Sequence, residues 1–350
     1  IYTVEIPEYF NYLNFTQGFY PLYNVKNEVI NGNIMFGTDR VDYRVNVTKY
    51  IGKDMPAVKF EKFISTPSDF VAKIEFQLAT IQFPMSPIEK ILSDWPEVEK
   101  SLLESETFGR QIKKSSFFKD ELAVIAGTAE NDEQKLALIY EFVRNKMKWN
   151  EKPGMYSSSN IRKAFNEGSG NVADINLLLV AMLREAGFTV NPVILSTRNN
   201  GRVHPIYPIL NKFNYVIAKV YFKDSYILLD ATDPFLPFGL LPEHCINLQG
   251  REICEVNPKW VDIQGKCPPS KTMLMANFDI SENADLQGTV SISSNGFKAL
   301  DQRKSIAHKG EEDYMKEFKD DHQNWAIEQH KFTNLKNLNE NLVSEYNVKV

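Results

Sequence analysis

Three positions of the chain lie where a cysteine hydrolase would need its reacting groups. In such an enzyme a cysteine in the first turn of a helix is activated by the helix N-terminus and by an imidazole, which a carboxylate orients. Val172 opens an apolar helix after a glycine-rich turn, Tyr215 lies on a later strand, and Asp230 ends the strand after it. The spacing fits, but valine has no nucleophile and tyrosine is a poor base at neutral pH.

Two predicted elements must position these side chains. The stretch EGSGNVADINLLLVAMLREAGF, residues 167–188, predicts a turn and then a helix over 172–187. FNYVIAKVYF and YILLDAT predict a hairpin across residues 223–225, which would bring Tyr215 and Asp230 side by side. We expect the tyrosine hydroxyl to lie over Val172 and Asp230 to accept hydrogen bonds from backbone or hydroxyl donors.

Other groups with reactive chemistry are poorly placed for it. His244 and Cys245 are adjacent, so on a regular element their side chains point apart. All three cysteines follow the Asp230 strand, so a shifted nucleophile would require an unrelated site. Ser169 is interpreted as a polar residue of the glycine turn. No cluster has the spacing of a zinc site, so we expect neither a metal nor a cofactor.

The composition excludes several classes of protein. A net charge of −5 over 350 residues argues against a nucleic-acid binder. The longest apolar runs, such as INLLLVAML, are far shorter than the ~20 residues that cross a bilayer. Because the chain begins at Ile1 rather than Met, we expect that a leader or an upstream part has been removed.

The pattern along the chain predicts three domains. Residues 1–80 are β-rich, with apolar and polar residues alternating in DRVDYRVNVTKYI and DFVAKIEFQLATIQF. Residues 81–270 place helices, starting with PIEKILSDWPEVEKSLLES, before an antiparallel run, which is an α+β order. Residues 271–350 are β-rich again, apart from a charged helical segment at 309–330, and we expect this last domain to be truncated.

The central motifs resemble the bacterial transglutaminase-like superfamily, which shares the papain-like Cys-His-Asp core. That family has Gly-Asn-Cys-Ala-Asp where this chain has GNVAD at 170–174, and Phe-Asn-His where it has FNY at 213–215. Its Leu-Asp-Ala-Thr is intact at 229–232, and Trp149 matches its tryptophan near the oxyanion site. By this resemblance, Val172 and Tyr215 replace the catalytic cysteine and histidine, and Asp230 is retained.

The flanking stretches, including MPAVKFEKFISTP and SETFGRQIKK, are similar to β-domains that accompany this core in envelope proteins. The resemblance implies an α+β fold with a papain-like core between β-sandwich-like domains. It also implies a periplasmic or extracellular protein of the cell envelope.

Three functional hypotheses follow. The first is a catalytically inactive binding or scaffold protein, holding a peptide, protein, acyl chain or glycan through Trp149, Asn171 and Asn214. The second is an active hydrolase or acyltransferase with an unconventional nucleophile. The third makes the β-domains the working part and the core a spacer. The alternative interpretation of two of these residues is structural: Asp230 is then a hydrogen-bonded carboxylate at a strand end, because its histidine is lost, and Trp149 is a core residue.

Overall fold

The computed structural model describes residues 1–17, 23–54, 56–59, 61, 64, 66–282 and 285–350. Part of the stretch MPAVKFEKFISTP lies outside the described residues: Met55, Phe60, Lys62, Phe63 and Ser65. The chain divides into two compact units, which are described separately. The first is Ile1–Ser101 with Ser196–Phe213, and the second is Leu102–Leu195 with Asn214–Val350. The predicted limits of 1–80, 81–270 and 271–350 stay a prediction.

The first unit contains two antiparallel three-stranded sheets, with strand orders β1-β4-β3 and β2-β5-β6. Its strands are β1 Tyr2–Pro7, β2 Phe10–Gln17, β3 Asn24–Phe36, β4 Asp39–Ile51, β5 Lys73–Ile81 and β6 Glu89–Lys90. On β4 the side chains of Val45 and Val47 are buried and the one side chain between them is exposed, as the alternating pattern predicts.

The helix predicted to start near residue 87 starts later. Helix α1 is Trp95–Glu104, because residues 89 and 90 pair with β5 instead. The two prolines of FPMSP and Pro96 leave only the last part of that stretch free to form helical hydrogen bonds.

The second unit begins with helices and two short paired strands. They are α2 Gly109–Ile112, α3 Lys119–Thr128, α4 Asp132–Lys146, β7 Lys148–Trp149, α5 Ile161–Glu167, β8 Ser169–Gly170 and α6 Val172–Glu185. Asn131 caps α4, as predicted, by accepting a hydrogen bond from the Gln134 N–H at 2.9 Å. Helix α5 ends at Gly168, whose φ of 65° is costly for any residue with a Cβ. Strands β7 and β8 pair in parallel, and this pairing holds the chain beside the start of α6.

An antiparallel five-stranded sheet follows, with the order β11-β10-β9-β12-β13. Its strands are β9 Val190–Leu195, β10 Tyr215–Phe222, β11 Ser225–Leu229, β12 Gln249–Glu252 and β13 Trp260–Asp262. The predicted hairpin is present, with Ala218 opposite Leu229 and a turn of two residues, Lys223 and Asp224. Every side chain of α6 from residue 172 to 183 is buried, and α6 packs on this sheet as the centre of the core.

The last part of the second unit combines a four-stranded sheet with two helices. They are β14 Thr272–Ile280, β15 Leu286–Ser294, α7 Gly296–Lys309, α8 Glu311–Asp321, β16 Ala326–Thr333 and β17 Leu342–Lys349. The prediction of a single charged helix over 309–330 is wrong at both ends, because the helix in this region, α8, begins at Glu311 and ends at Asp321. The sequence does not predict helix α7, which precedes α8, because the polar sequence of α7 gives only a weak helical period.

Helices α2–α6 therefore precede an antiparallel sheet, and other sheets come before and after this core along the chain, which confirms the α+β class. Within the described ranges, no helix combines the length and the apolar character that a bilayer crossing requires.

Candidate functional site

The GNVAD motif forms a closed capping structure at the start of α6. Asn171 Oδ1 accepts from the Asp174 N–H at 2.8 Å, and the Asp174 carboxylate accepts from the Asn171 N–H at 3.0 Å. The hydroxyls of Ser157 and Ser158 also donate to this fully buried carboxylate. Polar residues of the motif thus fix where the helix begins.

Val172 is the first residue of α6, and its side chain is fully buried. Its backbone N–H donates to the Lys152 carbonyl at 3.3 Å. The Trp149 indole N–H donates to the same carbonyl oxygen at 3.1 Å. Both N–H groups are therefore used within the protein, at the position where the family resemblance would put an oxyanion site.

Tyr215 and Asp230 meet through Thr232. The Thr232 hydroxyl donates to the Asp230 carboxylate at 2.6 Å and lies 3.1 Å from the Tyr215 hydroxyl, so its oxygen accepts a hydrogen bond from the tyrosine O–H. Asp230 also accepts from the Thr232 N–H at 2.8 Å and from the Asn176 amide at 3.2 Å. The prediction that Asp230 is satisfied by backbone and hydroxyl donors is confirmed. The placement of the tyrosine hydroxyl over Val172 stays a prediction.

Burial controls the protonation of this pair. It raises the pKa of the Tyr215 hydroxyl well above its usual range, and the nearby Asp230 carboxylate adds to the effect. Burial also raises the pKa of Asp230, although the two hydrogen bonds from Thr232 oppose this. Tyr215 therefore stays protonated at neutral pH and cannot accept a proton.

The structure brings His244 and Cys245 to Tyr215, which corrects the expectation that the cysteines lie away from these positions. The His244 ring packs edge-on against the Tyr215 ring, with centroids 5.3 Å apart. The Cys245 thiol is fully buried within hydrogen-bond reach of Tyr215, and burial raises its pKa well above the usual range. Burial lowers the pKa of His244, so this imidazole is neutral. No nearby sequence signal links residues 244 and 245 to residue 215.

A cavity of about 890 Å³ opens beside this cluster. Trp149, Thr232 and His244 line it, together with the end of α4 and one face of α7. Of the three predicted cleft residues, only Trp149 lines this cavity. The Asn171 amide donates to the Tyr156 carbonyl at 2.9 Å, and the Asn214 backbone N–H donates to Leu195 where the sheet begins.

The three cysteines are present as thiols and form no disulfide bond. Among the described residues, no group of three His, Cys, Asp or Glu side chains is arranged to hold a metal ion.

These features define an α+β protein whose buried helix packs on an antiparallel sheet beside a cavity. Residues 121–231 match the family model described as the transglutaminase-like superfamily, and this part of the chain is a transglutaminase-like domain. No curated protein matches the chain.

Two crystal structures were matched to this chain. One is described as a proposed protease from Parabacteroides distasonis, with a TM-score of 0.45 and 9% identity over 99% of this chain and 65% of that chain. The other is described as a proposed cysteine protease from Cytophaga hutchinsonii, with a TM-score of 0.27 and 13% identity over 66% of this chain and 75% of that chain. The present chain thus spans 65% of the length of the first.

Proposed function

We propose that this transglutaminase-like domain is catalytically inactive and that the protein works by binding, as a scaffold or ligand-binding component of the cell envelope. The observation that carries the proposal is Val172 at the first position of α6. A nucleophile at that position would gain from the helix N-terminus, whereas valine offers only a buried isopropyl group.

The surroundings of Val172 support the same conclusion. An oxyanion site needs free N–H donors aimed at the developing charge. The N–H groups of Val172 and Trp149 are already bonded to the Lys152 carbonyl. A substrate would have to displace residue 152 before either group could stabilise an oxyanion.

The base position supports it as well. Tyr215 holds its proton because its pKa is raised, and its hydroxyl is bonded to Thr232 rather than free for a reacting group. Position 215 then supplies no imidazole for Asp230 to orient, and the hydrogen bonds of Asp230 to Thr232 and Asn176 support a structural role for this carboxylate. We infer that the frame of the site is retained for stability and binding.

A second candidate function is a hydrolase or acyltransferase that uses Cys245 with His244. The proximity of both residues to Tyr215 favours it, since His244 also lines the cavity. Against it stand the complete burial of the thiol and its raised pKa, which keep the sulfur protonated.

Labelling by iodoacetamide at pH 7, followed by peptide mapping, separates the two candidates. We expect Cys245 to react far more slowly than the half-exposed Cys254 and Cys267. Fast and stoichiometric modification of Cys245 with loss of a measured peptidase or acyl-transfer activity would establish the second function. Turnover of any peptide or amine-donor substrate by the unmodified protein would refute the inactive core.

The envelope location rests on the resemblance of the flanking stretches. Fractionation of the producing cells tests it, with a cytoplasmic enzyme and a periplasmic enzyme as markers. Recovery with the cytoplasmic marker alone would contradict it.

A further inference from the structure

One wall of the cavity is an apolar face of α7. Phe297, Leu300 and Lys304 follow one another at spacings of three and four residues, so they share one side of the helix. Leu300 and Phe297 also pack on the cluster of Leu236 and Leu240. This wall therefore presents two apolar side chains, Phe297 and Leu300, together with the charged side chains of Asp301 and Lys304.

Another part of the cavity lining contains a buried cation that forms no ion pair within the described residues. Arg144, at the end of α4, is 6% exposed and lines the cavity. Its Nη1 donates to the Leu236 carbonyl at 2.9 Å, while its Nε is buried with no hydrogen-bond partner. Among the described residues, none of the ion pairs that form involves Arg144.

The Leu236 carbonyl and the Tyr140 ring, whose centroid lies 5.5 Å from the Arg144 Cζ, compensate part of this burial. A buried guanidinium with an unused N–H and no ion pair still favours an anion beside it.

The Lys304 ammonium on α7 is different from this guanidinium, because it already pairs with Asp233. Lys146 and Lys148 also line the cavity but are exposed to solvent. Arg144 is therefore the buried lining cation with unused hydrogen-bonding capacity, and a guanidinium binds a carboxylate through two parallel hydrogen bonds.

Acidic side chains limit the charge that the ligand can carry. Glu151, Glu243 and Asp301 line the same cavity and are exposed. They would repel a phosphate dianion or a polyanion, but they would tolerate a single negative charge placed deep against Arg144.

We propose that this cavity binds a monocarboxylate with an apolar body, the carboxylate on Arg144 and the body on Phe297 and Leu300. The inference rests on the proposed function, because it names the ligand class of the same site. The volume of about 890 Å³ falls in the range of small-molecule sites. A peptide C-terminus and a free fatty acid share this chemistry.

Calorimetric titration of the full chain with two matched pairs of probes distinguishes these sources. The first pair is N-acetyl-leucyl-phenylalanine and its C-terminal amide, and the second is decanoate and decanamide. We expect an acid to bind at least ~10-fold more tightly than its amide, as a charge-assisted hydrogen bond implies. The pair that shows the preference identifies the source. Affinities within about threefold in both pairs, or no binding of either acid at ~1 mM, would overturn the proposal.

Two variants and a control locate the ligand. Arg144→Gln is expected to reduce the acid preference to less than about threefold, whereas Lys148→Gln, which removes an exposed cation of the same cavity, should retain it. Because Arg144 also holds the Leu236 carbonyl, Phe297→Ala provides a second test that leaves this bond intact. It should weaken the acid and the amide of the preferred pair alike, and unchanged affinity for both would place the ligand elsewhere.

A failure of the proposed function would give a different experimental result from a failure of this ligand assignment. Equal affinity for acid and amide would remove the carboxylate role and leave an inactive core. Hydrolysis of the N-acetyl dipeptide during the titration, detected by mass spectrometry, would instead refute the inactive core.

Discussion

The backbone nitrogen of Val172 lies 3.3 Å from the carbonyl oxygen of Lys152, so the first N–H of α6 donates a hydrogen bond to the protein's own backbone. In an enzyme that used this helix N-terminus, the amide would have to face the substrate. Replacing the side chain at 172 therefore cannot by itself restore a reaction, because the backbone donor is also engaged.

The first prediction is that Val172→Cys remains inactive. Tyr215 cannot accept the thiol proton, and the buried cysteine would stay protonated. Release of a fluorogenic peptide product and incorporation of a labelled amine measure both expected reactions. Val172→Ala serves as the control for changes in packing, and turnover by the cysteine variant alone would contradict the argument.

The second prediction concerns the pH dependence of Cys245. An ordinary thiol with a pKa near ~8.5 becomes roughly 25-fold more ionised between pH 7 and pH 9. Burial raises the pKa of Cys245, so its thiolate stays scarce across that range. Because alkylation proceeds through the thiolate, the rate for Cys245 should stay far below that of N-acetylcysteine in the same reaction and should rise by about tenfold per pH unit, with no approach to a plateau at pH 9. A rate for Cys245 close to that of N-acetylcysteine, or one that levels off towards pH 9, measured by peptide mapping, would show that the thiol is accessible and ordinary.

A third prediction tests the hydrogen bonds that connect α6 to the sheet. The Asn176 amide donates to the Val216 carbonyl at 2.9 Å and to Asp230, and its oxygen accepts from the Ala231 N–H at 3.0 Å. Asn176→Ala would leave these buried groups unpaired, at a cost of about 3 kcal/mol or more in the free energy of unfolding. Urea denaturation measures the loss.

The control for this third test is Asn347→Ala, on the exposed side of β17, which should change the free energy of unfolding by less than about 1 kcal/mol. Equal losses in the two variants would mean that Asn176 has no special role.

The fourth prediction compares two glycine substitutions. A Cβ on Gly170 would lie 2.5 Å from the Asp174 Cβ, so Gly170→Ala must disturb the capping structure and should destabilise the protein by about 1–3 kcal/mol. A Cβ on Gly127 in α3 meets nothing within 4 Å, so Gly127→Ala should stabilise the protein by about 0.5–1 kcal/mol. Thermal unfolding should show melting temperatures that move in opposite directions, and shifts of the same sign would be inconsistent with this local geometry.

Local signals explain which parts of the fold could be predicted from the sequence. Asn131 and the start of α6 at Val172 are marked by capping residues next to an apolar period, and the β10–β11 hairpin is marked by its turn. The start of α1 could not be located in the same way, because Glu89 and Lys90 pair with a strand that is distant in sequence.

In the candidate site, too, features marked by nearby residues could be predicted and features that depend on distant residues could not. Asp230 and its hydrogen bonds follow from a motif whose members are close in sequence. The arrival of His244 at Tyr215 depends on the path of the chain between them, and the unpaired state of Arg144 depends on which groups happen to surround it. Neither of these two features produces a periodic or compositional pattern in the sequence, so neither could be predicted from it.

The assignment of Ser196–Phe213 to the first compact unit has a consequence for synthesis on the ribosome. Within that unit Arg202 pairs with Asp69 at 3.4 Å, and the His204 ring lies 4.7 Å from the Phe15 ring. At ~5–20 residues per second, roughly 5–20 s pass between the emergence of residue 101 and that of residue 213. During that interval the N-terminal sheets lack these partners, so the first unit can be completed only after residues 102–195 of the second unit have been synthesised.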